Sequence, residues 1–175
     1  QEALQVLEHQ QVGLAARGIR VVATMRDPRK AAALLDEAGD QGVEVAVRTL
    51  DVTDRDGARR CLDEVEAEFG PIGILVNNAG RGIAGTLEQL DDAALQEELD
   101  LHLLGPAALT RHVLPSMRRI GSGRIITVSS VGGVFGEPFL DAYCASKFAV
   151  EGLMQSLAPV AARFGLVVSI VEPGA

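Results

Sequence analysis

The sequence predicts an α/β protein built on a doubly wound parallel sheet, three layers deep with helices on both faces, and three observations carry this. Short β-rich runs alternate with longer segments of helical periodicity. The runs are mostly continuous apolar stretches, as strands covered on both sides are. The unusual residues (Arg26-Asp27, Asp51-Val52, Asn78-Ala79-Gly80, Ser129-Ser130 and Pro173-Gly174) fall just beyond the runs. Open parallel sheets bind ligands there, outside the carboxyl ends of their strands.

A helix is expected over Gln1 to Arg17, up to the break at Gly18, and a first strand over the apolar run Ile19 to Met25. A helix over Arg29 to Ala38 leads to the strand Val43 to Leu50, and a helix over Arg55 to Phe69 to the strand Ile74 to Asn77. The long periodic segment Asp91 to Arg119 reads as one helix bent near Gly105-Pro106, where proline removes a helical hydrogen bond. The strand Arg124 to Ser129, the helix Asp141 to Phe164 and the strand Leu166 to Val171 complete the pattern, with no internal repeat and no linker.

With 175 residues, 47% of them apolar, the chain has material for one packed domain over 1–175. The balance of 16 basic against 24 acidic residues, a net charge of −8, repels phosphate backbones, so nucleic acid is not an expected partner. Cys61 and Cys144 lack metal or redox spacing, and the N-terminus shows no export pattern, which points to a reduced, cytoplasmic protein. No apolar stretch is long enough to span a membrane. His9 and His112 stand without partner ligands, and no metal site is expected.

The sharpest local signal is Tyr143-Cys144-Ala145-Ser146-Lys147, a phenol and an ammonium four residues apart on one helix face. A free tyrosine exchanges protons poorly at neutral pH, and a nearby cation favours its phenolate. Thirteen residues earlier, Ser130 ends a strand, where its hydroxyl can hold a carbonyl oxygen for protonation. The alternative is an ordinary surface pair. Asn77-Asn78-Ala79-Gly80 reads either as a strand-ending turn or as a site whose amides meet a purine edge. Asp51 reads either as an acceptor for an adenine amino group or as the cap of the helix starting at Arg55.

In this order, Asp51-Val52, Asn77 to Gly80, Ser130, Tyr143, Lys147 and Pro173-Gly174 resemble the short-chain dehydrogenase/reductase family over nearly the whole chain. The stretch Gly121 to Met154 is most similar to its hydroxysteroid and retinol dehydrogenase branch. The resemblance implies a Rossmann-like dinucleotide-binding fold and reversible hydride transfer between NADP(H), or alternatively NAD(H), and a small lipophilic alcohol or ketone, steroid- or retinoid-like. It makes Tyr143 the general acid/base and Ser130 the group that positions the substrate oxygen. Lys147 would bind the nicotinamide ribose and lower the tyrosine pKa. Asp51, Val52, Asn78, Ala79, Gly80, Pro173 and Gly174 would line the cofactor. Arg26 matches a position where a basic residue meets the adenosine 2′-phosphate, with Asp27 beside it opposing that preference. A homodimer or homotetramer is implied as well.

The sequence departs from the family in three places. It has no TGxxxGxG phosphate loop; the corresponding positions hold Gln1, Gln5 and Leu7, and the family's first strand has no counterpart. Loss of that central strand should leave two unpaired strand edges. His102 stands where the family has an asparagine supporting a proton relay, and it either keeps that relay or is a tolerated helix residue. The sequence stops before the substrate-selecting region. A catalytically silent relative acting as a dimerisation partner is the alternative function.

Overall fold

The computed structural model describes residues 11–174. The chain divides into two compact units, Gln1–Asp51 and Val52–Ala175. Residues 11–15 are helical; the rest of the expected first helix before them, with His9 and the phosphate-loop positions Gln1, Gln5 and Leu7, lies outside the described residues.

In the first unit, strand β1 (Val21–Met25) pairs in parallel with β2 (Val45–Thr49), from Val21 opposite Val45 to Met25 opposite Thr49. The connection is a 3-10 turn, Pro28–Ala31, followed by helix α1 (Ala32–Asp40). The expected start at Arg29 is thus a tighter turn. Asp27 causes it: Oδ1 accepts from Arg29 N at 3.1 Å, and the carboxylate grips the Arg29 guanidinium at 2.8 and 2.9 Å. Val12, Ala23, Leu34, Ala38 and Val45 form this unit's core.

The second unit contains α2 (Arg55–Phe69), β3 (Ile74–Asn77), α3 (Asp92–Leu99), a π-helical segment (Asp100–Leu104), α4 (Gly105–Ile120), β4 (Gly123–Val128), α5 (Asp141–Ala162) and β5 (Leu166–Val171). Its sheet runs β3-β4-β5, all parallel. Asn77 lies opposite Thr127, and Val128 opposite Val171. Asn78, Ser129 and Glu172 therefore leave the sheet along one edge. Among the described residues the strands form two separate sheets, β1-β2 in the first unit and β3-β4-β5 in the second.

The sheet departs from the expectation of strands covered on both sides. Ile125 and Thr127 of central β4 are buried, but β3 buries only Leu75 and Asn77, and Ile74 and Val76 are 40% and 45% exposed. One face of β3 has no cover among the described residues. The helix read as Asp91 to Arg119 is instead three pieces. A π turn, Asp100–Leu104, stands just before Pro106, which has no N–H for the carbonyl four residues back, and Val52 packs closely on Gly105, where a Cβ would lie 3.0 Å from Val52 Cβ. Arg55 ties that turn to α2, donating to the Asp100 carbonyl at 3.2 Å and its carboxylate at 2.8 Å. Asp54, not Asp51, caps α2, accepting from Gly57 N at 3.0 Å; Asp51 lies four residues before the helix, too far for a cap.

Candidate active site

Strand β4 ends at Val128, and the chain turns through Ser129 and Ser130 into a 3-10 turn, Val131–Gly133. Ser130 Oγ accepts from Gly132 N at 3.1 Å, which caps the turn and leaves its O–H free to donate. Helix α5 packs on this turn and brings two side chains to it. Lys147 Nζ donates to Val128 O at 3.0 Å, two residues before Ser130. A methyl group on Gly132, two residues after Ser130, would lie 3.3 Å from Tyr143 Cε1. Tyr143 and Lys147 thus meet the chain two residues after and two residues before Ser130, with Nζ 5.6 Å from the Tyr143 ring centre.

The loop after β3 reaches the same place. Asn77 is structural: its Nδ2 donates to Thr110 Oγ1 at 3.3 Å and Thr127 Oγ1 at 3.2 Å. Asn78 Oδ1 is buried without a hydrogen-bond partner among the described residues. Ala79 and Gly80 follow on the surface, and a Cβ on Gly80 would meet His102 Cε1 at 2.9 Å. Pro173 comes from β5, its carbonyl accepting from Val131 N at 3.1 Å, and Gly174 follows, exposed. Val52 is buried against Gly105, and its carbonyl accepts from Arg55 Nη1, so its side chain packs rather than facing a ligand. Arg26 and Asp51 belong to the first unit, just beyond β1 and β2; the Arg26 side chain is exposed and has no ion-pair partner among the described residues.

Two buried carboxylic residues join the site without a signal in the sequence motifs. Glu98 lies one helical turn before His102 and Glu151 one turn after Lys147, a spacing visible in the sequence, but their burial depends on the packing of α3 against α5. Lys147 loses its proton more easily than a free lysine, at a pKa of about 8, because burial disfavours its charge; Glu98 and Glu151 oppose this. Burial likewise raises the Glu98 pKa, against the pull of Arg81 and Lys147. His102 packs edge-on against Tyr143, ring centres 5.4 Å apart. Its Nε2 lies 2.7 Å from Arg81 O, which can only accept, so Nε2 carries the hydrogen and Nδ1 is a buried lone pair.

Burial, then the charge of Lys147, lowers the His102 pKa to about 4, so the ring is neutral at pH 7. The unfolded chain takes up this proton near pH 6.5, the folded protein only near 4, so stability falls as pH drops through that window. The loss has an upper limit of about 3 kcal/mol. His102→Asn removes this slope. Glu98, whose folded carboxyl keeps its proton to higher pH, pulls the other way, and the difference between the two proteins isolates the histidine. Urea unfolding of both at pH 7 and pH 4 measures it, and parallel losses would refute the assignment.

A family model described as short chain dehydrogenase matches residues 11–175. The chain is 44% identical over 156 residues to retinol dehydrogenase 8 of Bos taurus, covering 89% of this chain and 49% of that protein. It is 41% identical over 166 residues to estradiol 17-beta-dehydrogenase 1 of Rattus norvegicus, covering 91% and 47%. The chain spans about half the length of these curated relatives. A metagenomic short-chain oxidoreductase, solved in complex with NADP, has a TM-score of 0.90 to this structure at 32% identity, over 96% of this chain and 76% of that one.

Proposed function

Because the chain belongs to the short-chain dehydrogenase family, we propose that it carries the centre of an oxidoreductase that uses NADP(H) to interconvert a lipophilic alcohol and its ketone, steroid- or retinoid-like in apolar bulk. The observation that carries this reading is the convergence of Tyr143 and Lys147 on the strand end holding Ser130. NADPH, when bound, supplies the hydride. Ser130 donates its free O–H to the substrate carbonyl oxygen and holds it. Tyr143 gives its phenolic proton to that oxygen as negative charge develops, and takes one back in the oxidative direction. Lys147 commits one N–H to Val128 O and keeps two for the ribose.

The residues fit such a cofactor. The partnerless, buried Asn78 Oδ1 is an acceptor awaiting a donor, and Gly80 is held against His102 where no side chain fits. Arg26 is exposed and without an ion-pair partner among the described residues, as a 2′-phosphate contact needs, while Asp27, the residue opposing that preference, is engaged with Arg29. The NADP held by the metagenomic relative supports the same choice. Both cysteines are free, in keeping with a cytoplasmic location, and among the described residues no helix is long and apolar enough to cross a membrane. Exposed Phe148, Leu153 and Val160 on α5 suit a homodimer or homotetramer.

Titration with NADPH and NADH, followed by thermal unfolding, tests this. NADPH at about a hundred times its Kd should stabilise the protein by about 2.7 kcal/mol. Arg26→Ala should weaken NADPH roughly tenfold, the worth of one charge-assisted contact, and leave NADH unaffected. Binding of neither cofactor would favour the silent dimerisation partner instead.

A further inference from the structure

We propose that Glu137 recognises a cationic amine on an otherwise apolar substrate, so that the compounds turned over are amino alcohols and amino ketones with an apolar tail. This rests on the hydride-transfer reading for placing the substrate at Tyr143. Glu137 is in the loop between the 3-10 turn and α5, anchored through its backbone N–H to Cys144 Sγ at 3.3 Å, next to Tyr143. A methyl group on Gly132 would meet Glu137 Oε1 at 2.8 Å and Tyr143 Cε1 at 3.3 Å. The carboxylate and the edge of the phenol ring therefore both lie beside the same backbone position, Gly132.

The carboxylate of Glu137 accepts no hydrogen bond and forms no ion pair among the described residues. Asp141, four residues on, is engaged, its Oδ2 accepting from Leu87 N at 2.8 Å. Around Glu137 the same loop exposes Val134, Phe135 and Phe139, 54%, 55% and 67% accessible, a surface that gains by covering an apolar tail. A substrate that covers this surface strips water from the carboxylate. A plain hydrocarbon ketone then buries an unpaired charge, which is penalised, whereas a protonated amine within a few bonds of the reacting carbon neutralises it with a charge-assisted hydrogen bond. The amine takes no part in the redox step.

The test compares 1-amino-2-decanol with 2-decanol at neutral pH, by calorimetric binding with NADP present and by NADPH formation. The wild type should bind the amino alcohol at least about tenfold more tightly. Glu137→Gln should bring the ratio to about one, and Glu137→Lys should reverse it. Equal binding of both alcohols by the wild type, binding of neither, or a ratio unchanged in Glu137→Gln would overturn the proposal. An amine preference in binding without NADPH formation would overturn the hydride-transfer reading and leave the Glu137 contact standing. NADPH formation without an amine preference would do the reverse.

Discussion

Tyr143→Phe is expected to lower kcat/KM by about 10³-fold or more, while the protein folds and its NADPH titration still saturates. The substitution removes one oxygen. The ring stays against Gly132 and keeps its edge-on contact with His102, so the helix face and the loop after β3 are held unchanged. What disappears is the only phenol in the chain and, on the proposed mechanism, the proton that neutralises the substrate oxygen. Lys147, titrating near 8 in its buried place, is not a substitute, because its ammonium is held by the Val128 carbonyl. Steady-state kinetics with a lipophilic ketone and NADPH, beside a thermal melt of the same preparation, measures the effect. Turnover within tenfold of the wild type would remove Tyr143 from the proton-transfer role.

Gly165→Ala is expected to destabilise the second unit by roughly 2–4 kcal/mol. Gly165 ends the turn between α5 and β5 at φ +75, a conformation that costs an alanine about 1–2 kcal/mol by itself. Its added Cβ would also meet a backbone carbonyl, that of Gly121 at 2.3 Å, and Gly121 (φ +75) makes the matching turn between α4 and β4. Neither backbone can yield easily, because Gly123 and Leu166, just beyond, are paired in the sheet. Gly42→Ala provides the control: φ there is +65, but nothing lies within 4 Å of the added atom, so only the conformational cost of about 1 kcal/mol remains. Urea unfolding of the two variants separates the contributions. Equal losses would mean that the two helix-to-strand turns are not in contact.

Local rules explain which features are legible in the residues alone. The five strands are, because apolar runs announce themselves over a few residues, and their parallel pairing follows from helix-length connections. Tyr143 and Lys147 are, because four residues on a helix put side chains on one face whatever surrounds it. Bounds are less so: Asp27 turns the start of α1 into a 3-10 turn, and a π segment precedes the bend expected at Gly105-Pro106.

The sequence by itself determined the fold class, the strand ends beyond which the candidate site residues stand and the placing of a phenol and an ammonium on one helix face. All of these depend on residues within about one helical turn or one strand of each other. Only the tertiary structure decided that Glu98, His102, Lys147 and Glu151 are buried together, that Asn77 braces the sheet through its Nδ2 while the Oδ1 of Asn77 and of Asn78 is buried without a partner among the described residues, and that Glu137 stands beside Tyr143. Burial and the direction of a proton affinity are set by side chains that other elements bring in from far along the chain. The same glutamate or histidine is solvated or desolvated according to what packs on it, and no local pattern encodes that.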